Sequence, residues 1–167
     1  TVSTVKLNPA NGHYYEAVTV LGGLNWLAAR AAAEARTFQG FQGHLGTITS
    51  MGENDFIVSN FNAAALGGAY WVGGFQPPDS PEPTDGWQWV TGEVWSYTAW
   101  GPGEPNDVAG EDCIEIPARG GWNDYQCSAG DPTYIVEYEP ATPLPPTVTI
   151  ASPATGATVT GPNVQLS

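Results

Sequence analysis

The sequence predicts an α+β fold that combines two helices with small antiparallel sheets and a long irregular loop region. Helix signals occur only before residue 70, whereas short runs of aromatic and β-branched residues continue to residue 138. The chain also has 21 glycines and 15 prolines among its 167 residues. Because both residue types disfavour helix interiors, this content argues against a helical bundle or a coiled coil.

A strand and a helix are predicted to open the domain. Residues 12–20 carry aromatic and β-branched side chains at the density of a strand. Asn25 suits a helix N-cap, and Trp26, Ala29 and Ala33 follow it at helical spacing. This first helix is expected to end near Gly40.

The second helix is predicted from a capping signal. Ser50 and Glu53 have the S-x-x-E spacing in which the hydroxyl and the carboxylate satisfy free backbone amides reciprocally. Phe56 and Ile57 continue at helical spacing. The helix should be short, about ten residues, and should end before Gly67.

The second half is predicted to contain short strands separated by irregular loops. Four prolines between residues 76 and 86 exclude that segment from a sheet interior, and residues 96–112 show no periodicity. Long ordered loops of this kind usually carry function. The strands are predicted at residues 70–75, 87–90, 114–116 and 133–138.

The charge balance excludes two classes of partner. The chain has 17 acidic residues against 4 Lys and Arg, which gives a formal net charge of −13 and a pI near 4.1. Nucleic acids and anionic membranes are bound by clustered Lys and Arg, so neither is expected as a partner. No apolar run approaches the roughly 18 residues that a membrane span requires, so no membrane insertion is expected.

The two cysteines, Cys113 and Cys127, leave two alternatives open. A disulfide between them would close a loop of about 15 residues and contribute roughly 3 kcal/mol, whereas the other reading is two buried free thiols. The abundance of Thr, Ser, Gly and Pro favours the disulfide and an oxidising, extracellular setting. Residues 1–4 have the character of a mature or trimmed end rather than a signal peptide.

The C-terminal residues differ in composition from the rest. A domain over residues 1–139 is predicted to be followed by a proline-rich linker at 140–146 and by short strands within 147–167. Those last residues are too few to bury a core and look like the start of an immunoglobulin-like module. They would either pack on their own domain or donate strands to a neighbouring molecule, so self-association through 140–167 is left open.

Acidic residues are concentrated between residues 104 and 124, where Arg119 is the only cation. Repulsion among such carboxylates is relieved by solvent, by protonation or by a bound cation. Carboxylate and carboxamide oxygens suit calcium, whereas zinc is disfavoured here because His13 and His44 lie far upstream. A solvated acidic loop is the alternative. The six acids are Glu104, Asp107, Glu111, Asp112, Glu115 and Asp124.

Four short motifs in order resemble those of the C-type lectin-like domain. The helix that begins at Trp26 and the segment 45–48 extend the resemblance to about residues 12–139. Each motif is weak by itself, but the four in the right order, followed by a cysteine, are specific. They are Trp71-Val72-Gly73, Glu104-Pro105-Asn106, Glu111-Asp112-Cys113 and Trp122-Asn123-Asp124.

The resemblance implies a calcium ion held by Glu104, Asn106, Glu111, Asn123 and Asp124, with Asp124 also offering its backbone carbonyl. The first four of these residues would also bind sugar, because their carboxylates accept hydrogen bonds from hydroxyls and their amides donate them. In the family, the order Glu-Pro-Asn accompanies mannose, glucose, N-acetylglucosamine or fucose rather than galactose. The peptide before Pro105 is expected to be cis.

The resemblance leaves a second calcium ion open and shows one departure. A second, structural site would draw on Asp107 and Asp112 together with acids of the preceding loop, where Asp79, Glu82 and Asp85 are available. The family commonly has a further disulfide, but Ala33 and Val136 occupy the expected positions here.

The expected function is calcium-dependent carbohydrate binding by a module of a secreted or cell-surface adhesin, with glycans as partners. The alternative is a structural or assembly role in which calcium rigidifies the loops. Enzymatic activity is not expected, because calcium would hold Glu104 and Glu111 as anions and leave no acid. Trp100 is the candidate for an exposed sugar-stacking ring, whereas four tryptophans are expected in the core, namely Trp71, Trp87, Trp89 and Trp122.

Overall fold

The computed structural model describes residues 4–140, and the predicted tail at 141–167 lies outside the described residues. A short 3-10 helix at Ala63–Leu66 follows the second α-helix. The α-helices are α1, Trp26–Glu34, and α2, Met51–Asn60. The strands are β1, Lys6–Leu7; β2, Tyr14–Leu24; β3, Thr37–Phe38; β4, Phe41–Leu45; β5, Ala69–Phe75; β6, Gln88–Trp89; β7, Cys113–Pro117; β8, Asn123–Tyr125; and β9, Asp131–Tyr138.

The strands form a sheet whose main path runs β1-β2-β9-β5-β7-β8, with β4 also paired to β9 and β6 to β5. The α+β prediction is confirmed, with one difference in the sheet. All strand pairs are antiparallel except β5 and β9, which run parallel with Trp71 opposite Tyr134. Strand β9 therefore lies at the centre, where it contacts β2, β4 and β5.

Helix α1 begins where the sequence predicts but ends earlier. The Asn25 side chain accepts a hydrogen bond from the Ala28 amide at 2.9 Å, and the buried face carries Trp26, Ala29 and Ala33. The predicted end near Gly40 is wrong, since the helix stops at Glu34. The following residues form a tight β3–β4 hairpin whose turn has positive φ angles, and this pairing ends the helix.

The N-terminus of α2 contains only half of the predicted reciprocal cap. The Ser50 hydroxyl accepts from the Glu53 amide at 3.2 Å, as expected. The Glu53 carboxylate instead accepts from the Thr49 amide at 2.6 Å, one residue earlier than the motif predicts. Glu53 is buried and also bonds the Tyr15 hydroxyl, which draws its carboxylate toward the sheet.

The four tryptophans predicted for the core are all buried, with exposures from 0 to 4% for Trp71, Trp87, Trp89 and Trp122. The disulfide is also confirmed, because Cys113 and Cys127 are bonded with their Cα atoms 5.1 Å apart. It links the start of β7 to the segment after β8. No helix within residues 4–140 has the length and apolar character that a membrane crossing demands.

Ala33 and Val136, which replace the expected second disulfide, are fully buried in the same apolar cluster. Gly43 of β4 lies between them. A Cβ atom at Gly43 would lie 2.7 Å from the Ala33 carbonyl oxygen and 2.9 Å from Val136 Cγ1. The close packing of α1, β4 and β9 therefore requires glycine at this position.

Candidate calcium and carbohydrate site

The long loop before β7 is fastened to the start of β8. The Gly101 amide donates to the Trp122 carbonyl at 2.8 Å, and the Trp122 amide donates to the Ala99 carbonyl at 2.8 Å. A Cβ atom at Gly121 would lie 2.5 Å from Gly101 Cα, so the two backbones are in close contact. This attachment holds residues 104–112 beside Asn123 and Asp124.

Aromatic rings pack beneath this attachment. The Trp100 ring centroid lies 4.9 Å from that of Trp87 and 5.7 Å from that of Trp122. The expectation that Trp100 is an exposed ring for sugar stacking is therefore wrong, because it is half-buried in an aromatic cluster. Its packing contributes to holding the loop in place.

The Glu104-Pro105-Asn106 motif presents two side chains side by side. The Glu104–Pro105 peptide is cis, as predicted. The Asn106 Nδ2 group donates to Glu104 Oε2. The carboxylate and the carboxamide of this motif are therefore in direct contact.

The side chain of Asp124 holds the backbone of the loop in place through hydrogen bonds. It is fully buried, and its Oδ2 accepts from the backbone amides of Asn106 at 2.8 Å and Asp107 at 2.7 Å. Its Oδ1 is also buried but has no hydrogen-bond partner among residues 4–140. A buried carboxylate oxygen without a partner is costly, so this atom favours a nearby cation.

Glu111 completes the acidic side of the site. Its Oε2 accepts from the Val108 amide at 3.1 Å, and the same amide contacts Asn106 Oδ1 at 3.0 Å. Burial raises the pKa of the Glu111 carboxyl, and the charges of Asp124 and Glu104 raise it further. Loss of a proton from Glu111 is therefore assisted by any cation bound here.

Both the nitrogen and the oxygen of the Asn123 side-chain amide have hydrogen-bond partners. Its Nδ2 donates to Glu115 Oε1 at 3.0 Å, and its Oδ1 accepts from Arg119 Nη2 at 2.6 Å. Because a guanidinium only donates, the atom of the Asn123 amide that faces Arg119 must be the oxygen, which leaves one orientation for the amide. Its oxygen therefore faces the same side of the site as Glu104.

Arg119 links two of the predicted ligands. Its Nη2 donates to Glu104 Oε1 at 2.9 Å as well as to Asn123. The Arg119 side chain is 62% exposed, whereas that of Glu104 is 9% exposed. The one cation between residues 104 and 124 therefore bonds two side chains that the resemblance implies as calcium ligands. Through these bonds all five predicted calcium ligands are brought into one connected group.

A buried carboxyl pair behind Asn123 was not predicted. Burial raises the pKa of Glu115, and the charge of Asp131 adds to the effect. Burial also raises the pKa of Asp131. The sequence signal is the acid between Ile114 and Ile116 in a buried strand, where a carboxylate needs a specific partner.

The acids of the possible second site are only partly assembled. Asp107 Oδ1 accepts from the Glu111 amide at 2.9 Å, and burial followed by the charge of Asp107 raises the pKa of Asp112. Desolvation raises the pKa of Glu82, and the charges of Asp107 and Asp112 contribute, although the Glu82 side chain is exposed. Asp79 lies exposed in the preceding loop.

The remaining acid of that loop, Asp85, is engaged through its backbone. The Asp85 carbonyl accepts from Gln76 Nε2 at 2.8 Å, and Gln76 in turn donates its backbone amide to the Asp112 carbonyl at 2.8 Å. The proline-rich loop is thereby connected to the start of the Glu111-Asp112-Cys113 motif.

The sequence matches a known protein family over residues 26–135, which contain the candidate site. The model of the Lectin C-type domain family matches residues 26–135. The match includes both helices and every residue of the candidate site.

Two curated relatives extend the comparison. Halomucin of Haloquadratum walsbyi is 32% identical over 155 residues, which covers 83% of this chain but 2% of halomucin. Human C-type lectin domain family 17, member A is 34% identical over 95 residues, which covers 56% of this chain and 23% of that protein. The chain therefore spans a small part of the length of these two relatives.

A solved structure resembles the fold. The cow C-type carbohydrate-recognition domain of CD23, determined in the presence of a GlcNAc2Man3 oligosaccharide, superposes with a TM-score of 0.62 and 27% sequence identity. The superposition covers 75% of this chain and 86% of that domain.

Proposed function

Because this chain belongs to the family of C-type lectin domains, we propose that it is a calcium-dependent carbohydrate-binding module. Carbohydrate binding is the general activity of the family, whose members typically bind Ca²⁺ and are generally extracellular and not enzymatic. What is proposed for this chain is its own calcium site, the class of sugar that it binds and its place in a secreted or surface adhesin.

The observation that carries the calcium proposal is the unpartnered Oδ1 of Asp124. It is buried in a group of side chains that offer only hard oxygen donors toward a cation. Calcium accepts six to eight such oxygens in irregular geometry, so the donor set fits this ion. The residues that would hold it are Glu104, Asn106, Glu111, Asn123 and Asp124. Bound there, calcium would supply coordination positions for two neighbouring sugar hydroxyls.

The same side chains have hydrogen-bonding capacity left for sugar. The Nδ2 groups of Asn106 and Asn123 each use one hydrogen on a neighbouring carboxylate, Glu104 or Glu115, and each retains a second. The carboxylates of Glu104 and Glu111 have further lone pairs. Each sugar hydroxyl can therefore donate to a carboxylate while it accepts from an amide.

Arg119 is a cation placed directly against the proposed calcium ligands. Its guanidinium bonds Glu104 and Asn123, two of the proposed ligands. Because the side chain is largely exposed, it can turn into solvent when those oxygens bind a divalent ion. The Arg119 guanidinium and calcium are thus expected to compete for Glu104 Oε1 and Asn123 Oδ1.

The sugar class is proposed to be mannose-type. The order Glu104-Pro105-Asn106 supports binding of mannose, glucose, N-acetylglucosamine or fucose through vicinal equatorial hydroxyls. The oligosaccharide named for the cow CD23 structure contains mannose and N-acetylglucosamine. A second calcium ion, near Asp107, Asp112 and Glu82, would be structural.

Retention on mannose beads tests this function. The full chain should bind in calcium, elute with a chelator and lose thermal stability when calcium is removed. Retention in chelator would refute the calcium mechanism. If calcium stabilises the chain but beads carrying each of the four sugars fail to retain it, the assembly role replaces carbohydrate binding.

A further inference from the structure

The two histidines of the chain, far apart in sequence, lie on one face of the central sheet. In the strand register His44 of β4 and Tyr15 of β2 both lie opposite Glu137 of β9. Side chains along a strand alternate between the two faces of a sheet. His13, two residues before Tyr15, and Glu139, two residues after Glu137, therefore lie on the same face as Glu137. These four side chains, His13, His44, Glu137 and Glu139, form an imidazole–carboxylate cluster.

The distances within the cluster suit a small metal ion. His13 Nδ1 lies 2.7 Å from Glu137 Oε1, and His44 Nε2 lies 3.4 Å from Glu139 Oε1. One ligand atom each from His13, Glu137 and Glu139 lies within 4.8 Å of the others. Zinc bonds of about 2.0–2.1 Å at tetrahedral angles place ligand atoms about 3.3 Å apart. The group of His13, Glu137 and Glu139 is close to that spacing, and His44 would join it through its contact with Glu139.

His44 is oriented as a metal-binding histidine is. Its Nδ1 contacts the Leu45 carbonyl at 2.9 Å, and since a carbonyl only accepts, Nδ1 carries the hydrogen. Such a second hydrogen bond commonly fixes the ring of a ligating histidine. His44 Nε2 and Glu139 Oε1 are both buried without a hydrogen-bond partner among residues 4–140. These two atoms face each other at 3.4 Å as an ion pair, and a metal ion bound by both would replace that pairing.

The surroundings favour positive charge. The Tyr15 hydroxyl connects the buried carboxylates of Glu53 and Glu137, and Glu137 Oε2 also accepts from the Thr47 amide at 2.8 Å. The hydrogen bond with Glu137, followed by nearby carboxylate charges, raises the pKa of His13 despite partial burial. A bound cation would balance these carboxylates, as a proton on the imidazoles does.

We propose that His13, His44, Glu137 and Glu139 bind one divalent transition-metal ion of the zinc class. Two imidazole nitrogens and two carboxylate oxygens are a ligand set for zinc, whereas the oxygen donors around Asp124 suit calcium. The partly exposed side chains of His13 and Glu139 provide access from solvent. The ion displaces protons from the imidazoles and joins the residue before β2, strand β4 and the C-terminal end of β9.

Zinc titration of the full, untagged chain tests the proposal. After chelator treatment, the protein is placed in excess calcium so that the oxygen-rich segment is occupied, and Zn²⁺ is then added. Calorimetry should show saturable binding of one equivalent. In ¹⁵N-histidine NMR, the ring nitrogen signals of both residues should shift at that equivalent. An absence of saturable binding, or binding without a shift of either ring, overturns the proposal.

Isosteric variants assign the ligands. His13→Gln, His44→Gln and Glu139→Gln should each weaken zinc binding at least about tenfold, since even supporting residues of metal sites commonly have effects of that size. Glu34→Gln, which changes an exposed carboxylate of α1 that pairs with Arg30, is the matched control and should leave zinc binding unchanged. Unchanged affinity in both histidine variants overturns the proposal. If a variant does not fold, the NMR shifts of the wild-type rings decide the outcome.

Discussion

Asp124 and Asn106, 18 residues apart, are joined by a 2.8 Å hydrogen bond from the Asn106 amide to Asp124 Oδ2. This bond connects strand β8 to the loop that carries Glu104 and Asn106. The other carboxylate oxygen, Asp124 Oδ1, has no hydrogen-bond partner among residues 4–140. The geometry of the proposed calcium site therefore depends on one buried carboxylate.

Replacing Asp124 by asparagine should weaken calcium binding by more than about tenfold, because the variant retains the shape but loses the charge of a proposed ligand. Calorimetric calcium titration measures the change. Asp55→Asn, on the exposed face of α2, is the control and should bind calcium as the wild type does. Equal affinities of the two variants would contradict the assignment of Asp124.

Exchanging the two flanking side chains of Pro105 should change the sugar preference. In the double variant Glu104→Gln and Asn106→Asp, the positions of the hydrogen-bond donor and acceptor are reversed, so binding should shift from mannose toward galactose. Competitive elution from mannose beads by the two free sugars measures the ratio. A preference identical to that of the wild type would show that these groups do not determine sugar choice.

Removing Arg119 should strengthen calcium binding. Arg119→Ala frees Glu104 Oε1 and Asn123 Oδ1 from an exposed guanidinium, and such exposed pairs are worth up to about 1 kcal/mol, or about fivefold in affinity. Calcium titration at fixed ionic strength tests this. Arg30→Ala, which removes an exposed pair with Glu34 on α1, serves as the control. Weaker calcium binding in Arg119→Ala would exclude competition.

Adding one methyl group at Gly43 should destabilise the domain by about 1–3 kcal/mol, because its Cβ would clash with the Ala33 carbonyl and Val136. Gly52→Ala is a matched control, since its Cβ would meet no atom within 4 Å and alanine favours the interior of α2. Denaturant unfolding measures both. A Gly43→Ala protein as stable as the wild type would show that the two backbones can separate without cost.

Removal of residues 141–167 tests the assembly role. If these residues mediate self-association, the full chain should form oligomers in light scattering and the truncated chain should be monomeric. Sugar retention by the truncated chain should be unchanged, because the proposed site lies within residues 104–124. Oligomers that persist after truncation would place self-association elsewhere in the molecule.

Features that depend on neighbours in sequence were predicted well. The caps at Asn25 and Ser50 form because each side chain bonds an amide three residues ahead. The proposed calcium ligands are also confined to 21 residues, so their concentration of charge is visible without a structure. The cis peptide at Pro105 and the disulfide are confirmed, and both were expected.

Features that depend on distant partners were missed. Helix α1 ends early because residues 37–45 form a hairpin whose second strand pairs with β9. The Glu53 carboxylate does not bond the Ser50 amide as the capping motif predicts, because Tyr15, 38 residues away, competes for it. Trp100 packs against the rings of Trp87 and Trp122, which lie 13 and 22 residues away, and no local pattern reveals these contacts.

The composition of both proposed sites can be read from the chain: oxygen donors are crowded between residues 104 and 124, and there are only two imidazoles in the whole chain. How those groups meet depends on the folded arrangement. Burial of Asp124 leaves one oxygen without a partner, and the pairing of β9 with β2 and β4 brings His13 and His44 to neighbouring carboxylates. The physical reason is that strand register and desolvation act between residues more than 90 positions apart.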